Sequence, residues 1–222
     1  MSNPSIWQAI GEQLQNPRGL AGHFTGVMMR IANREPNRLA VKALRIESTD
    51  AVLELGCGPG HAIQLMEREA FAGRVYGLDQ SSVMIEQAGR RNRIAIREGR
   101  VVLYQGRFNL LPFSDCTMDK ILAVNVIYFW KDLPAVHREI CRVLRPGGRV
   151  SIYATDKATM HRWKFAGPDT HRLYDAVDIS GALRQAGFDV RRICIRKVRL
   201  FGRVQGLLTT FTTESTGVAT KL

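Results

Sequence analysis

Val52-Leu53-Glu54-Leu55-Gly56-Cys57-Gly58-Pro59-Gly60 is the stretch whose reading decides the fold. Val52, Leu53 and Leu55 form the apolar run of a buried strand, and three glycines then remove side chains where the backbone turns. Glycine at such positions permits positive φ and lets a ligand lie directly against the main chain. The helix that begins near His61 offers its unpaired N–H groups to that ligand. A glycine-rich loop does not by itself say what it holds; its surroundings must.

The next strand, Val75-Tyr76-Gly77-Leu78, ends in Asp79, 19 positions after Gly60. A carboxylate there can accept hydrogen bonds from both hydroxyls of a ribose. Loop plus acid points to an adenine nucleoside and leaves NAD and S-adenosylmethionine both open. The dinucleotide fingerprint places its last glycine after two spacers, where this chain has His61; Gly56-x-Gly58-x-Gly60 is tighter.

Further along, helices over Ala62–Ala70, Ser82 to about Arg93, Pro134–Leu144 and Ile179–Ala186 alternate with strands over Val101–Tyr104, Ile121–Val126 and Arg149–Ala154. Two late β-rich segments, about Val190–Val198 and Val204–Thr212, close the chain. Ile121–Val126 reads as a strand, apolar at every position but Asn125, as in a parallel sheet covered on both faces. This alternation predicts an α/β fold of right-handed βαβ units. Residues 1–46 read as a helical N-terminal cap and 47–222 as the core. In the cap Leu20, Phe24, Val27, Met28 and Ile31 recur at helical spacing, interrupted by Gly19, Gly22 and Gly26, and Asn33-Arg34-Glu35-Pro36 starts another helix. The glycines mark either close packing or a hinge, and the cap is either a movable cover or a fixed packing element.

At 222 residues the chain can bury a full core as one domain. Its apolar runs fall far short of a membrane span, and Met1–Trp7 has neither a basic nor an apolar leader region, which argues for a cytoplasmic protein. Cys57, Cys116, Cys141 and Cys194 form no Cys-x-x-Cys pair, a pattern of reduced structural thiols with no metal or iron–sulfur site. The net charge of +12 speaks to solubility and anionic partners. Its excess lies in Arg90–Arg100 and Arg191–Arg203, either as solvated faces or as a binding patch; no aromatic interleaves with the first cluster, which disfavours a nucleic-acid groove.

The downstream segments separate the two cofactors. Leu53–Gly60 is followed by Gly77-Leu78-Asp79-Gln80-Ser81 with Met84, then Leu111-Pro112-Phe113 before Asp119, Asn125-Val126-Ile127-Tyr128-Phe129-Trp130, and Glu139 through Gly148. In this order, over about residues 50–155, the chain resembles the class I S-adenosylmethionine-dependent methyltransferases. The resemblance implies a Rossmann-like, doubly wound, mostly parallel seven-stranded sheet with helices on both faces. It implies that the backbone of Gly56, Cys57, Gly58 and Gly60 passes under the methionine portion of the cofactor, with Glu54 fixing the loop or reaching the ammonium group. Asp79 would hold the ribose, Gln80 and Met84 would flank the adenine, and Arg107 and Phe108 would close over its other face. Asn125 would lie at the end of the fourth strand near the methyl donor. One position departs from the family: Arg107 stands where relatives usually carry an acid, and arginine cannot accept a bond from the adenine amino group.

An activated donor leaves the enzyme mainly to align a nucleophile, so acids and bases can be few. Asn125–Tyr128 lacks both prolines of an Asn-Pro-Pro-Tyr type motif, and no Pro-Cys pair supplies a cytosine nucleophile, so nucleic acid is disfavoured as the acceptor. A small molecule is expected instead. A lipid acceptor reached by docking on an anionic membrane surface is a second version. Tyr128 and His171 are the catalytic candidates, alongside His23, His161 and Tyr174, and Trp163 and Phe165 are candidates to line an apolar acceptor pocket. A nonenzymatic cofactor-binding adaptor is the alternative, kept open by Arg107 and the absence of an evident base.

Overall fold

Leu53 pairs with Tyr76 on one side and Ile121 on the other, which places the opening strand inside a sheet. The computed structural model describes residues 6–185 and 187–213. Three helices come first: α1 (Ile6–Gln15), α2 (Gly19–Ala32) and α3 (Arg34–Leu44). The core then runs β1 (Ala51–Leu55), α4 (His61–Glu69), β2 (Arg74–Asp79), α5 (Ser82–Arg91), α6 (Arg93–Arg97), β3 (Val101–Gln105), β4 (Met118–Val124), α7 (Leu133–Val143) and β5 (Leu144–Thr155). It closes with α8 (Lys157–Met160), α9 (Ala176–Gln185), β6 (Cys194–Arg199) and β7 (Gln205–Thr212).

The seven strands lie in the order β3-β2-β1-β4-β5-β7-β6, parallel except for β7, which is antiparallel to both neighbours. This is the Rossmann-like sheet. Strand order reverses between β1 and β4, so the crevice beyond their carboxyl ends is where a doubly wound sheet takes its ligand. The period-2 pleat splits the core. Val52 packs with Ala40 and Leu44 of α3 and Ile63 of α4, whereas Leu53 and Leu55 pack with Ile140 of α7 and Ile179 of α9. α3 lies antiparallel to the central strands and is anchored at its far end by Arg149, whose Nε donates to the Ala43 carbonyl (2.7 Å).

Several boundaries differ from the expected ones for local reasons. α5 ends at Arg91, close to the expected end near Arg93, where the buried Asn92 amide donates to the carbonyls of Gly60 (3.2 Å) and Ala88 (2.9 Å), and the short α6 beyond it was not expected. β4 stops at Val124, since Asn125 takes φ +52 and leaves the ladder. The first late β segment is shorter than expected: Val190–Arg192 forms a 3₁₀ turn, with the Asp189 carboxylate accepting from the Arg191 N–H (3.0 Å). β5 begins already at Leu144, with Arg145 held by Asp119 at 2.7 Å. Two of the three cap glycines serve close packing: a Cβ on Gly22 would lie 3.0 Å from the backbone of Pro17, and one on Gly26 would strike Gln87 of α5, whereas Gly19 opens α2 at φ +57 with open space around it. The side chains of Leu20, His23 and Val27, and all of Ala186, lie outside the described residues. Among the described residues no helix is long and apolar enough to cross a membrane.

Candidate functional site

The turn after β1 is fastened from three directions. The N–H groups of Gly56 and Cys57 both donate to the Leu78 carbonyl (2.8 and 3.1 Å), tying the turn to β2. Arg91 Nε donates to the Pro59 carbonyl (3.0 Å), and Asn92 to that of Gly60, so the end of α5 holds the far side. A Cβ on Gly60 would come within 2.5 Å of Asn92, which makes that glycine a packing requirement of the loop. Gly58 is different. Its φ is +49, and a Cβ there would enter open space with only Met29 Cε near, at 3.9 Å. The face of the loop at Gly58 is therefore bare backbone turned toward a cleft.

Two carboxyl groups face the same cleft. Asp79 accepts from the N–H of Gly58 (2.9 Å) with one oxygen and from that of Ser81 (2.9 Å) with the other. Burial pushes its carboxyl up, and those N–H bonds pull it partly back. Ser81 caps α5 through Met84 N–H (3.3 Å) and donates its hydroxyl to the Pro17 carbonyl (2.6 Å), fixing the linker between α1 and α2 beside the site. Glu54 shares the face of Val52 and is 3% exposed. Its Oε2 has no partner, and burial, with a further push from Asp79, holds its carboxyl well above the usual range. A buried carboxyl with an unmet oxygen is costly unless a donor arrives. Cys57 is buried beside it, and burial pushes its thiol up, which makes it an inert packing group.

The cleft holds about 640 Å³ counting its open mouth. Of the residues expected to hold a cofactor, Glu54, Gly56, Cys57, Gly58, Asp79, Gln80, Met84, Phe108 and Asn125 line it together. Gly60 and Arg107 do not: Gly60 packs beneath the loop, and Arg107 is exposed and lines an adjoining depression that shares Gln15, Gln80, Phe108 and Phe129 with the cleft. The cap supplies residues that sequence reasoning missed. Met29, Arg30 and Asn33, at the end of α2, line the cleft, as does His61, whose buried Nδ1 has no partner. Their one signal was position, since Met29 and Asn33 stand one helical turn apart just before the Pro36 helix start.

At the end of β4 a polar knot fixes Asn125. Its Nδ2 donates to Asn33 Oδ1 (2.8 Å), while its Oδ1 accepts from the Tyr128 hydroxyl (2.9 Å) and the Thr155 N–H (3.0 Å). Burial holds the Tyr128 hydroxyl well above the ordinary tyrosine range, so this residue is a neutral donor. His171 stands nearby, edge-on to Phe129 at 4.9 Å, with Nδ1 2.9 Å from Thr170 Oγ1. Burial lowers its imidazole to about 4, so it is neutral at physiological pH. Tyr128, His171, Trp163 and Phe165 all line a second, larger groove of about 3290 Å³ by the same measure, with Trp163 and Phe165 stacked at 5.5 Å. His161 and Tyr174 line neither space: His161 is exposed and Tyr174 is buried with its hydroxyl unpartnered.

Comparison with known proteins gives the family and the fold. A family model described as "Methyltransferase domain" matches residues 53–152. The chain is 32% identical over 129 residues to the uncharacterized methyltransferase YdaC of Bacillus subtilis, covering 58% of this chain and 69% of that one. It is 30% identical over 203 residues to the sterol 24-C-methyltransferase of Eremothecium gossypii, covering 89% of this chain but only 53%, about half, of the relative. Among solved structures, the geranyl diphosphate C-methyltransferase from Streptomyces coelicolor, in complex with Mg2+, geranyl diphosphate and S-adenosyl-L-homocysteine, superposes with a TM-score of 0.68. That match is 13% identical and covers 95% of this chain and 99% of the other, a likeness of fold.

Proposed function

We propose, for a chain that belongs to the class I S-adenosylmethionine-dependent methyltransferases, that it methylates a small molecule held in the groove beyond Asn125. The observation that carries this reading is a shared wall. Met29, Asn33, Asn125 and Phe129 line both the glycine-loop cleft and the apolar groove, so a donor in one and an acceptor in the other meet at Asn125. The sterol and geranyl diphosphate enzymes support a small-molecule acceptor.

The residues present fit the cofactor. Glu54, with its unmet Oε2, is suited to an ammonium group, and Arg30 to a carboxylate. The bare backbone at Gly58 leaves room for the methionine portion. Asp79 keeps acceptor capacity for ribose hydroxyls beyond its two N–H bonds, and Gln80, Met84 and Phe108 are placed to flank an adenine. Phe108, tilted against Trp130 at 6.3 Å, takes the stacking role without Arg107. When bound, S-adenosylmethionine supplies an electrophilic methyl on a sulfonium and leaves as S-adenosylhomocysteine.

The chain's own contribution is alignment. Asn125 has both ends of its amide engaged and serves as a fixed polar marker, while the buried His171 imidazole, whose burial disfavours a bound proton, stands beside it as a neutral polar group of the groove wall. Calorimetry with S-adenosylhomocysteine tests the donor half. Wild type should bind and Asp79→Ala should not; no binding by wild type would sink the reading.

A further inference from the structure

The groove beyond Asn125 has two chemically distinct parts. Phe24, Met28 and Ile31 line one side from α2 while remaining 69%, 51% and 66% exposed. The stacked Trp163–Phe165 pair lines another side, so the body of the groove is apolar and uncovered. Its edge is cationic. Arg34 and Arg38 stand one turn apart on α3, and Arg199 ends β6; among the described residues Glu35 is the one acidic residue of the lining. Val198 and Leu200 pack on the same apolar cluster as Ala40 and Val41, which ties the end of β6 to α3.

None of these three guanidinium groups makes an ion pair or hydrogen bond among the described residues. Some arginines elsewhere are paired, Arg142 with Glu139 and Asp115 and Arg145 with Asp119, and others such as Arg68 and Arg97 are not; what sets these three apart is their place on the rim of an uncovered apolar groove. Unpaired guanidinium groups beside an apolar surface suit an oxyanion whose attached body enters that surface. We propose that the acceptor is an anionic amphipath, with its apolar body against α2 and the Trp163–Phe165 pair and its phosphate or carboxylate at Arg34, Arg38 and Arg199. This rests on the methyl-transfer reading and adds the acceptor's chemical class. A soluble amphipath and a bilayer lipid share this chemistry, and the groove, being bounded by Asn125 on the donor side, favours single molecules entering it.

The test is calorimetry on the full chain with S-adenosylhomocysteine, then with decyl phosphate, decanol and decyltrimethylammonium, each as monomer below its critical micelle concentration. Wild type should bind decyl phosphate at least about tenfold tighter than decanol, the margin of one charge-assisted contact, and the cation least. Arg38→Gln combined with Arg199→Gln should bring the phosphate within about twofold of the alcohol, as expected once the charged partners are gone, with affinity for S-adenosylhomocysteine retained. Equal wild-type affinity for phosphate and alcohol would overturn the proposal without recourse to any variant. So would co-sedimentation with phosphatidylglycerol vesicles in the absence of binding to monomeric decyl phosphate, which would make the apolar face a membrane-docking surface. Failure of S-adenosylhomocysteine to bind would instead strike the methyl-transfer reading, and it shows before any amphipath is added.

Discussion

Acid should destabilise this protein through His137. The ring is fully buried, neither nitrogen has a partner, and it sits edge-on between Trp130 at 6.0 Å and Phe188 at 5.3 Å. Burial lowers its imidazole from 6.5 to about 4. The neutral ring is tolerated in the fold, but the unfolded chain takes up a proton at the ordinary value. Stability is therefore full above pH 6.5 and is lost as pH falls toward 4. At pH 5 the loss from this one ring is about 2 kcal/mol, and at pH 4 and below it approaches roughly 3 kcal/mol, against a total of about 5–15 kcal/mol for a typical domain. His171, lowered likewise, adds a loss of the same sign, while the raised carboxyls of Glu54 and Asp79 act in the opposite direction. The readout is therefore a difference. Urea unfolding of wild type and His137→Phe at pH 7.5 and pH 5 should show a decline smaller by about 2 kcal/mol in the variant. Parallel declines would refute the assignment of a neutral buried ring.

Other substitutions probe the cleft. Asp79→Asn keeps the shape of the side chain but removes the charge, and should weaken S-adenosylhomocysteine binding by roughly ten- to a hundredfold in calorimetry, the worth of a charge-assisted hydrogen bond. Gly58→Ala should cost only about 1 kcal/mol of stability for its left-handed φ, because nothing crowds the new methyl, yet should cost the cofactor far more. Thermal unfolding and calorimetry together separate the two effects. Tyr128→Phe removes a buried hydroxyl bonded to Asn125 and Thr155, and should lower stability by about 1–3 kcal/mol, read from the shift in Tm.

The cleft proposed for the donor was legible because much of its chemistry is carried by backbone. The strand and its three glycines are contiguous in sequence and the acid ends the very next strand, so Val52–Gly60 and Asp79 declare themselves. The parallel sheet was legible for the same kind of reason, since apolar runs such as Ile121–Val124 follow from burial on both faces. Long-range side-chain hydrogen bonds were not. Asn92, just past α5, reaches a loop 32 residues back, and Asn125, just past β4, reaches Asn33, contacts that no local pattern encodes. The groove proposed for the acceptor was least visible. Its walls come from α2, α3, the 160–171 segment and the β6–β7 turn, which meet only in the fold. Trp163 and Phe165 were singled out by aromatic character and by their place between the fifth strand and the last helix, and Arg199 only as one of a basic cluster, while Met29, Arg30, Arg34 and Arg38 resembled ordinary helix surface.

The measurement that bears most directly on the whole account is transfer of labelled methyl from S-adenosylmethionine into a metabolite extract by the wild-type chain. Label is expected in an acidic, organic-extractable small-molecule fraction, dependent on enzyme and reduced in Asp79→Asn at donor concentrations below saturation. Tight binding of S-adenosylhomocysteine with no label in any fraction would contradict it, and would make the cleft the pocket of a nonenzymatic cofactor-binding protein.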